Sequence, residues 1–239
     1  RAGLRFPAGQ EQQRVAYIMT EGGALPLAYS RVVAALSQAG WLTGTITAGQ
    51  AWGGDIEAVS VHNALLAARH VLRADAAIVI QGPGNLGTET PWGFSGVACG
   101  DAINAVAALG GHPVACLRVS QADARARHRG VSHHSMTAYG RVALAGADVV
   151  VPDLEGPLGA QVRQEAETLC APRPGAGQHR LVEVPADGLL ELLRKAEAQT
   201  GVRLSTMRRG LDEDVAAFIA AAAAGRHVRR ILDAGAVNG

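Results

Sequence analysis

The stretch Ala76-Ala77-Ile78-Val79-Ile80 is followed at once by Gln81-Gly82-Pro83-Gly84, so an apolar run of strand length ends in a glycine turn. Similar runs recur at 15–19, 42–47, 114–119, 149–151 and 181–184, and helical patterns occupy 24–38, 56–72, 96–109, 135–145 and 158–169. This alternation predicts βαβ units. Because the runs are almost continuously apolar, we predict a Rossmann-like α/β fold, a parallel sheet with helices on both faces.

The same pattern predicts how the chain is divided into segments. We predict an N-terminal tail over 1–12, a single-sheet α/β domain over 13–186 and a helical C-terminal appendage over 187–239. Gly40 and Gly110 end helical patterns and are predicted to be C-cap glycines. In the appendage, Leu211, Val215, Phe218 and Ile219 share one helical face, which predicts a homodimer contact.

Composition restricts the classes of function. The 239 residues are 48% hydrophobic with a formal net charge of +1, which is typical of a globular protein. Because lysine and arginine form no extended block outside one loop, we expect neither nucleic acid nor a membrane as partner. Three widely spaced cysteines and no secretory signal predict reduced thiols in the cytoplasm. The first residue is Arg1, so we expect a longer gene product.

The loop after the run at 76–80 matches G-x-G-x-x-G. A nicotinamide or flavin site also needs a helix that begins at once and an acidic residue after the next strand; both are missing, so we expect neither cofactor. The loop is interpreted either as a simple glycine turn or as an anion-binding loop. Its predicted ligand-binding residues are Gly82, Gly84, Asn85, Gly87, Thr88 and Thr90.

The stretch at 120–137 concentrates the polar residues of the chain. Asp123, Arg125, Arg127 and Arg129 alternate with other residues, so in an extended segment they would share one face. Arginine forks bind carboxylate or phosphate oxygens in pairs, and Asp123 could orient one of them. The alternative is a salt-bridged loop on the surface. Ser120 and His128 complete the predicted ligand-binding residues of this loop.

Ser132 is placed as an N-cap, with His133 and His134 in the first helical turn. Neighbouring helical positions point about 100° apart, so only one of the two histidines is expected to face a given site. A helix N-terminus disfavours imidazolium, and a neutral ring can serve as base, donor or metal ligand. A cap-region histidine bonded to nearby backbone is the alternative.

Parallel strands bring the loops at their carboxyl ends to one edge. We therefore predict one cavity beside Gly82 to Gly87, at which an anion binds. The predicted catalytic residues are His133, His134, Asp123 and Asp55; Ser132 is grouped with the ligand-binding residues. No set of metal ligands is assigned, because Asp55, Asp123, His128, His133 and His134 match no standard spacing, although a divalent metal is retained as an alternative.

Several chemistries are excluded: the chain has no P-loop and no H-E-x-x-H, and Ser95 lacks the context of a hydrolase nucleophile. The prediction is a hydrolase or transferase acting on a small anionic substrate such as a phosphate ester. A non-catalytic ligand-binding or sensor domain and a metal-dependent hydrolase are the alternatives.

The loop motifs Gly53-Gly54-Asp55, Gly82-Pro83-Gly84 and the run from Arg127-His128-Arg129-Gly130 to His134 are specific in combination. Over about residues 13–153 the sequence resembles an uncharacterised bacterial domain-of-unknown-function family. The resemblance implies that these loops belong together and that a small β-rich segment often precedes the region. It implies no reaction, substrate or cofactor.

Overall fold

The computed structural model describes residues 13–23, 25–82 and 85–237. The first half forms a four-stranded parallel sheet in the order β3-β2-β1-β4. Its elements are β1 (Val15–Met19), α1 (Arg31–Gln38), β2 (Gly44–Ala48), β3 (Ile56–Ala58), α2 (Val61–His70) and β4 (Ala76–Ile80). All five residues of β1 are buried, since this strand pairs with β2 on one side and β4 on the other.

The second half carries a three-stranded parallel sheet in the order β5-β8-β9. The elements up to its last strand are α3 (Ala98–Ala108), β5 (Val114–Cys116), β6 (Val119–Ser120), β7 (Gly130–Val131), α4 (His133–Thr137), β8 (Asp148–Asp153), α5 (Gly156–Cys170) and β9 (Arg180–Pro185). The short strands β6 and β7 form an antiparallel pair. A π-helical turn, Ala138–Val142, continues α4.

The C-terminal elements cover the second sheet rather than stand apart from it. They are α6 (Leu189–Thr200), β10 (Ser205–Thr206), β11 (Arg209–Gly210) and α7 (Val215–Val237). Leu211 and Ile219 are buried in one core with Val150 and Val184, and Phe218 packs against it. The apolar face on which the homodimer prediction depended is therefore covered within the chain, and dimerisation stays a prediction.

The predicted fold class is confirmed: the protein is mixed α/β with parallel strands, and helices close its C-terminal region. Two details differ. The parallel strands divide between two sheets, with β4 and β5 as edge strands, and the helix predicted from Ile56 begins only at Val61, where Ser60 caps it. Gly40 and Gly110 have the positive φ of C-cap glycines, as predicted.

The predicted tail 1–12 lies outside the described residues, and the domain boundaries stay predictions. Among the helices that the structure describes, none is both long and apolar enough to cross a bilayer.

A buried carboxylate joins three elements at the amino-terminal end of the second sheet. Asp148, the first residue of β8, accepts hydrogen bonds from Arg180 at 2.6 and 2.7 Å, and from His112 and His227 at 2.7 Å each. Burial alone would raise the pKa of Asp148, but the bonds from Arg180, His227 and His112 hold it well below its usual range. The ionised carboxylate therefore ties α7 and β9 to the start of β8.

Candidate functional site

Three histidines meet in the loop region after β6. His128 is buried in a 3-10 turn, and His133 and His134 begin α4. The ring centroid of His128 lies 4.9 Å from that of His133 and 4.9 Å from that of His134, and the last two are 4.3 Å apart. One ring nitrogen of each lies within 4.8 Å of the others. The expectation that only one of the adjacent histidines faces a given site is therefore wrong, because rotation about the side-chain bonds lets both rings converge.

The backbone before α4 fixes this arrangement. Gly130 has a φ of +66°, which favours glycine, and a Cβ there would displace the ends of the Gln161 and Glu165 side chains that pack against the turn into β7. Ser132 then caps α4 by accepting the backbone N–H of His134, as predicted. Its Oγ also lies 2.7 Å from Nδ1 of His128. One serine hydroxyl thus connects two of the three histidines.

The loop after β4 closes over the same histidines. Phe94 stacks on His134 with centroids 4.0 Å apart and planes 12° apart. The Asn85 Oδ1 accepts from the Ser95 hydroxyl at 2.8 Å and from the Gly96 N–H at 3.3 Å, so its Nδ2 faces His134 Nδ1 at 3.2 Å. The two loops singled out in the sequence therefore meet at His134.

The three imidazoles are held neutral. Burial lowers the pKa of His128 to about 3, and the charges of Arg118 and Arg125 add to the effect. Burial, followed by the neighbouring His133, lowers the pKa of His134 to about 4. Burial and the charge of Arg127 lower the pKa of His133 in the same direction. At neutral pH each ring can accept a proton or offer a lone pair.

One ring nitrogen of the histidine cluster is buried without a hydrogen bond to any described residue. Nε2 of His133 is buried and has no hydrogen-bond partner among the described residues. Buried polar atoms in proteins are nearly always bonded, so such an atom calls for an explanation.

Arginines surround the histidines, and a buried carboxylate positions them. Asp123 is 2% exposed and accepts two bonds from Arg125, at 3.0 and 3.1 Å. The guanidinium groups of Arg118 and Arg209 lie 3.4 and 3.3 Å from the same carboxylate. The bond from Arg125 is the main cause that holds the pKa of Asp123 well below its usual range. Asp123 is thus charged at neutral pH, anchors the arginines and is a poor general base.

The predicted common face of arginines is not formed, because Ala126–His128 adopt a 3-10 turn instead of an extended segment. Arg125 binds the Asp123 carboxylate, and Arg129 donates from Nε to the backbone oxygen of Asp123 at 2.9 Å. Arg127 points elsewhere, with its guanidinium 3.6 Å from Glu89 in the loop after β4. Arg127 therefore bridges the two loops through an ion pair that is looser than the one between Arg125 and Asp123.

The C-terminal region supplies two residues that the sequence analysis missed. Asp214 is fully buried and accepts from the Ser120 hydroxyl at 2.6 Å and from Arg209 Nε at 2.9 Å. Arg209 and Asp214 line a small cavity of about 140 Å³ with Arg118 and Ser120. In the sequence, the only signal of this contribution is the basic segment 203–209. A larger cleft of about 630 Å³ between α6 and residues 201–213 contains none of the histidines.

Asp55 lies away from this group. Its carboxylate accepts from the backbone N–H and the hydroxyl of Thr45 at 2.8 Å each, and Thr45 lies at the beginning of β2. Because β3 is parallel to β2, the chain must return to the start of β2 before β3 begins. The loop that ends in Asp55 therefore leaves the carboxyl edge, and among the described residues no hydrogen bond or ion pair connects Asp55 with a histidine or an arginine.

The remaining predicted ligand residues bond to one another within the loop after β4. The hydroxyls of Thr88 and Thr90 are 2.8 Å apart, and both bond to the backbone of Gly93. Gly87 pairs with Phe94 in an isolated bridge, and Gly82 has a φ of +88° directly after β4. Gly84 lies outside the described residues. The threonines thus shape the loop that carries Phe94.

Comparison with known proteins places the chain in a family without assigning a reaction. No curated protein and no solved structure shows significant similarity to it. The profile of a family described as "Protein of unknown function (DUF3866)" matches residues 3–225, a span that includes both loops of the candidate site. The chain therefore belongs to the DUF3866 family of proteins of unknown function.

Proposed function

We propose that this protein is an enzyme, a hydrolase or transferase, that binds a small anionic substrate beside His128, His133 and His134. The observation that carries the proposal is the meeting of three neutral imidazoles with several guanidinium groups in one place. Guanidinium groups hold an anion, and a neutral imidazole beside it can move a proton.

The charge of the site favours an anion. Four guanidinium groups, those of Arg118, Arg125, Arg127 and Arg209, pair with three carboxylates, those of Asp123, Asp214 and Glu89, and a fifth, that of Arg129, donates to the backbone oxygen of Asp123. With the histidines neutral, five positive and three negative charges leave a balance of +2. Such an excess attracts small anions and raises their local concentration.

The arginines of this site differ in how tightly a carboxylate already binds their guanidinium groups. Arg125 and Arg209 are occupied by Asp123 and Asp214, whereas Arg127 makes only a 3.6 Å ion pair with the exposed Glu89. Arg127 is therefore assigned to the substrate anion. His133, whose pKa is lowered by the charge of Arg127 after the effect of burial, is assigned as the proton-moving group.

The alternative is a non-catalytic ligand-binding or sensor domain. It would use the same arginines but leaves three converging histidines without a role.

The free thiols Cys99, Cys116 and Cys170 support a reducing, cytoplasmic location for the enzyme.

Replacing Arg127 with alanine is expected to weaken the binding of inorganic phosphate about 10- to 100-fold, because a charge-assisted hydrogen bond contributes roughly 1.5–3 kcal/mol. Isothermal titration and thermal shift with phosphate, sulfate and simple carboxylates measure the effect. Arg31→Ala, at an exposed position of α1, is the matched control and should leave the phosphate affinity unchanged.

A ligand that stabilises the Arg127→Ala and wild-type proteins equally is not using this site, and the proposal would be wrong. Phosphate esters that bind are then assayed for turnover, with His133→Leu as the inactive control. Binding without any turnover would instead favour the sensor alternative.

A further inference from the structure

We infer that His128, His133 and His134 bind a divalent transition-metal ion of the zinc type. The role of this ion in holding the substrate anion rests on the proposed function, whereas the binding of the ion does not. A bound ion would occupy the lone pair of His133, so in the metal-loaded protein a water on the ion, with its pKa lowered, would replace that ring as the proton-moving group. Imidazole nitrogen is a preferred ligand for zinc and its neighbours in the first transition row.

The distances are close to those that a metal needs. The three ligand nitrogens lie within 4.8 Å of one another. With Zn–N bonds of about 2.0–2.1 Å, two nitrogens on one tetrahedral ion are about 3.4 Å apart. Small side-chain rotations are enough to bring them into range. Three protein nitrogens would also leave a coordination position for an oxygen of the substrate, the arrangement found in catalytic zinc sites.

The unpaired nitrogen of His133 has its simplest explanation here. Nε2 of His133 is buried without a hydrogen-bond partner among the described residues. A buried nitrogen costs free energy when it is unbonded, and a metal ion supplies the missing partner.

The surroundings resemble the outer shell of a metal centre. The Ser132 oxygen has two lone pairs, of which one accepts the His134 N–H, so the other can accept Nδ1–H of His128 and leave Nε2 of that ring to a metal. The stacked Phe94 fixes the plane of the His134 ring from the other side. The Asn85 N–H faces Nδ1 of this ring, so a metal ion bound through Nδ1 would take the place of that hydrogen bond. Outer contacts of this kind orient ligand histidines.

The net positive charge of the arginines and carboxylates around the histidines opposes the binding of a metal cation. A divalent cation added beside Arg118, Arg125 and Arg127 is repelled by them, and Asp123 and Glu89 offset only part of this repulsion. An anion bound to the metal ion would offset the remaining repulsion. Phosphate is therefore expected to raise the zinc affinity, and zinc must raise the phosphate affinity by the same factor.

A second cluster, His112, Asp148 and His227, has comparable spacing but is chemically different. Both oxygens of Asp148 already accept hydrogen bonds from Arg180, and one of them also accepts from the two histidines. This cluster is a closed ion-pair network, so His112 serves as a control.

The test is titration of the metal-free protein with Zn²⁺ alone, and with Co²⁺, whose visible spectrum reports tetrahedral nitrogen coordination. The wild-type protein is expected to bind one ion per chain. His133→Leu, and independently His134→Ala, should lower the affinity at least about 100-fold, since loss of an outer-shell partner alone costs about 10- to 100-fold. His112→Ala should change it less than about threefold. Because leucine removes an unbonded buried nitrogen, His133→Leu should keep or raise the melting temperature of the metal-free protein.

Absence of stoichiometric Zn²⁺ binding, binding retained in both His133→Leu and His134→Ala, or loss of binding in His112→Ala would overturn the inference. The proposed function can fail separately. If phosphate binds in an Arg127-dependent way without any metal site, only the metal inference fails; if Zn²⁺ binds as expected but no anion does, only the proposed function fails.

Discussion

Replacing Asp123 with asparagine is expected to lower the free energy of unfolding by about 3–5 kcal/mol, the usual cost of removing one partner from a buried ion pair. The carboxylate is 2% exposed and is shared by Arg118, Arg125 and Arg209. The amide would leave Arg118 and Arg125 without their carboxylate partner and Arg209 with Asp214 alone. Urea denaturation at pH 7 measures the loss.

The matched control is Asp212→Asn, which makes the same chemical change at a surface ion pair with Arg194. It should alter the unfolding free energy by no more than about 0.5 kcal/mol. Equal effects of the two substitutions would contradict the central role of Asp123.

The contribution of Asp123 also depends on pH. Because its folded-state pKa is held well below the unfolded value of about 3.9, its stabilisation is present above pH 4 and is lost as the pH falls further. The gap in stability between wild type and Asp123→Asn should therefore be largest near pH 7 and shrink below pH 4. A gap that stays constant down to pH 2 would show that the charge of Asp123 is not the cause.

Replacing Phe94 with alanine is expected to lower the unfolding free energy by about 3 kcal/mol, because a buried aromatic ring is lost and a cavity is left. Phe94 is 6% exposed and stacks on His134. Without the ring, His134 loses its orientation, so the affinity for inorganic phosphate should fall as well. Chemical denaturation and phosphate titration measure the two effects.

Trp92, two residues earlier in the same loop, is the control. It is 55% exposed and lies 5.7 Å from the Arg141 guanidinium, an exposed cation–π contact that contributes roughly 0.5–1 kcal/mol. Trp92→Ala should therefore cost about 1 kcal/mol and leave phosphate binding intact. A larger loss of binding in Trp92→Ala than in Phe94→Ala would place the important aromatic contact elsewhere.

The fold was largely predictable because its strands are short apolar runs. β1 and β4 were predicted with the bounds that the structure shows, since uninterrupted apolar residues leave little choice. β3 was missed because its three residues, Ile56–Ala58, continue without a break into a helical pattern. The division into two sheets was also missed, since the sequence does not tell which strands pair.

The meeting of the two polar loops was predictable, because both stand out in the sequence. The arginine- and histidine-rich loop and Asn85 do meet, because both lie in polar loops that follow apolar runs. The side-chain directions were not predictable, since Ala126–His128 form a 3-10 turn, closed by the backbone bonds from His128 to Arg125 and from Arg129 to Ala126, where the alternating pattern indicated an extended segment. Asp214, 94 residues from Ser120 along the chain, carries no local signal of its role.

The central claim is that an anion binds where His128, His133 and His134 meet. Ring-nitrogen NMR of the histidines during titration with inorganic phosphate tests it most directly, with resonances assigned from single-histidine variants. These three resonances are expected to shift together in one saturable transition, while those of His62 and His70 on α2 stay unchanged. A titration in which none of the three shifts, or in which only His112 and His227 respond, would contradict the account.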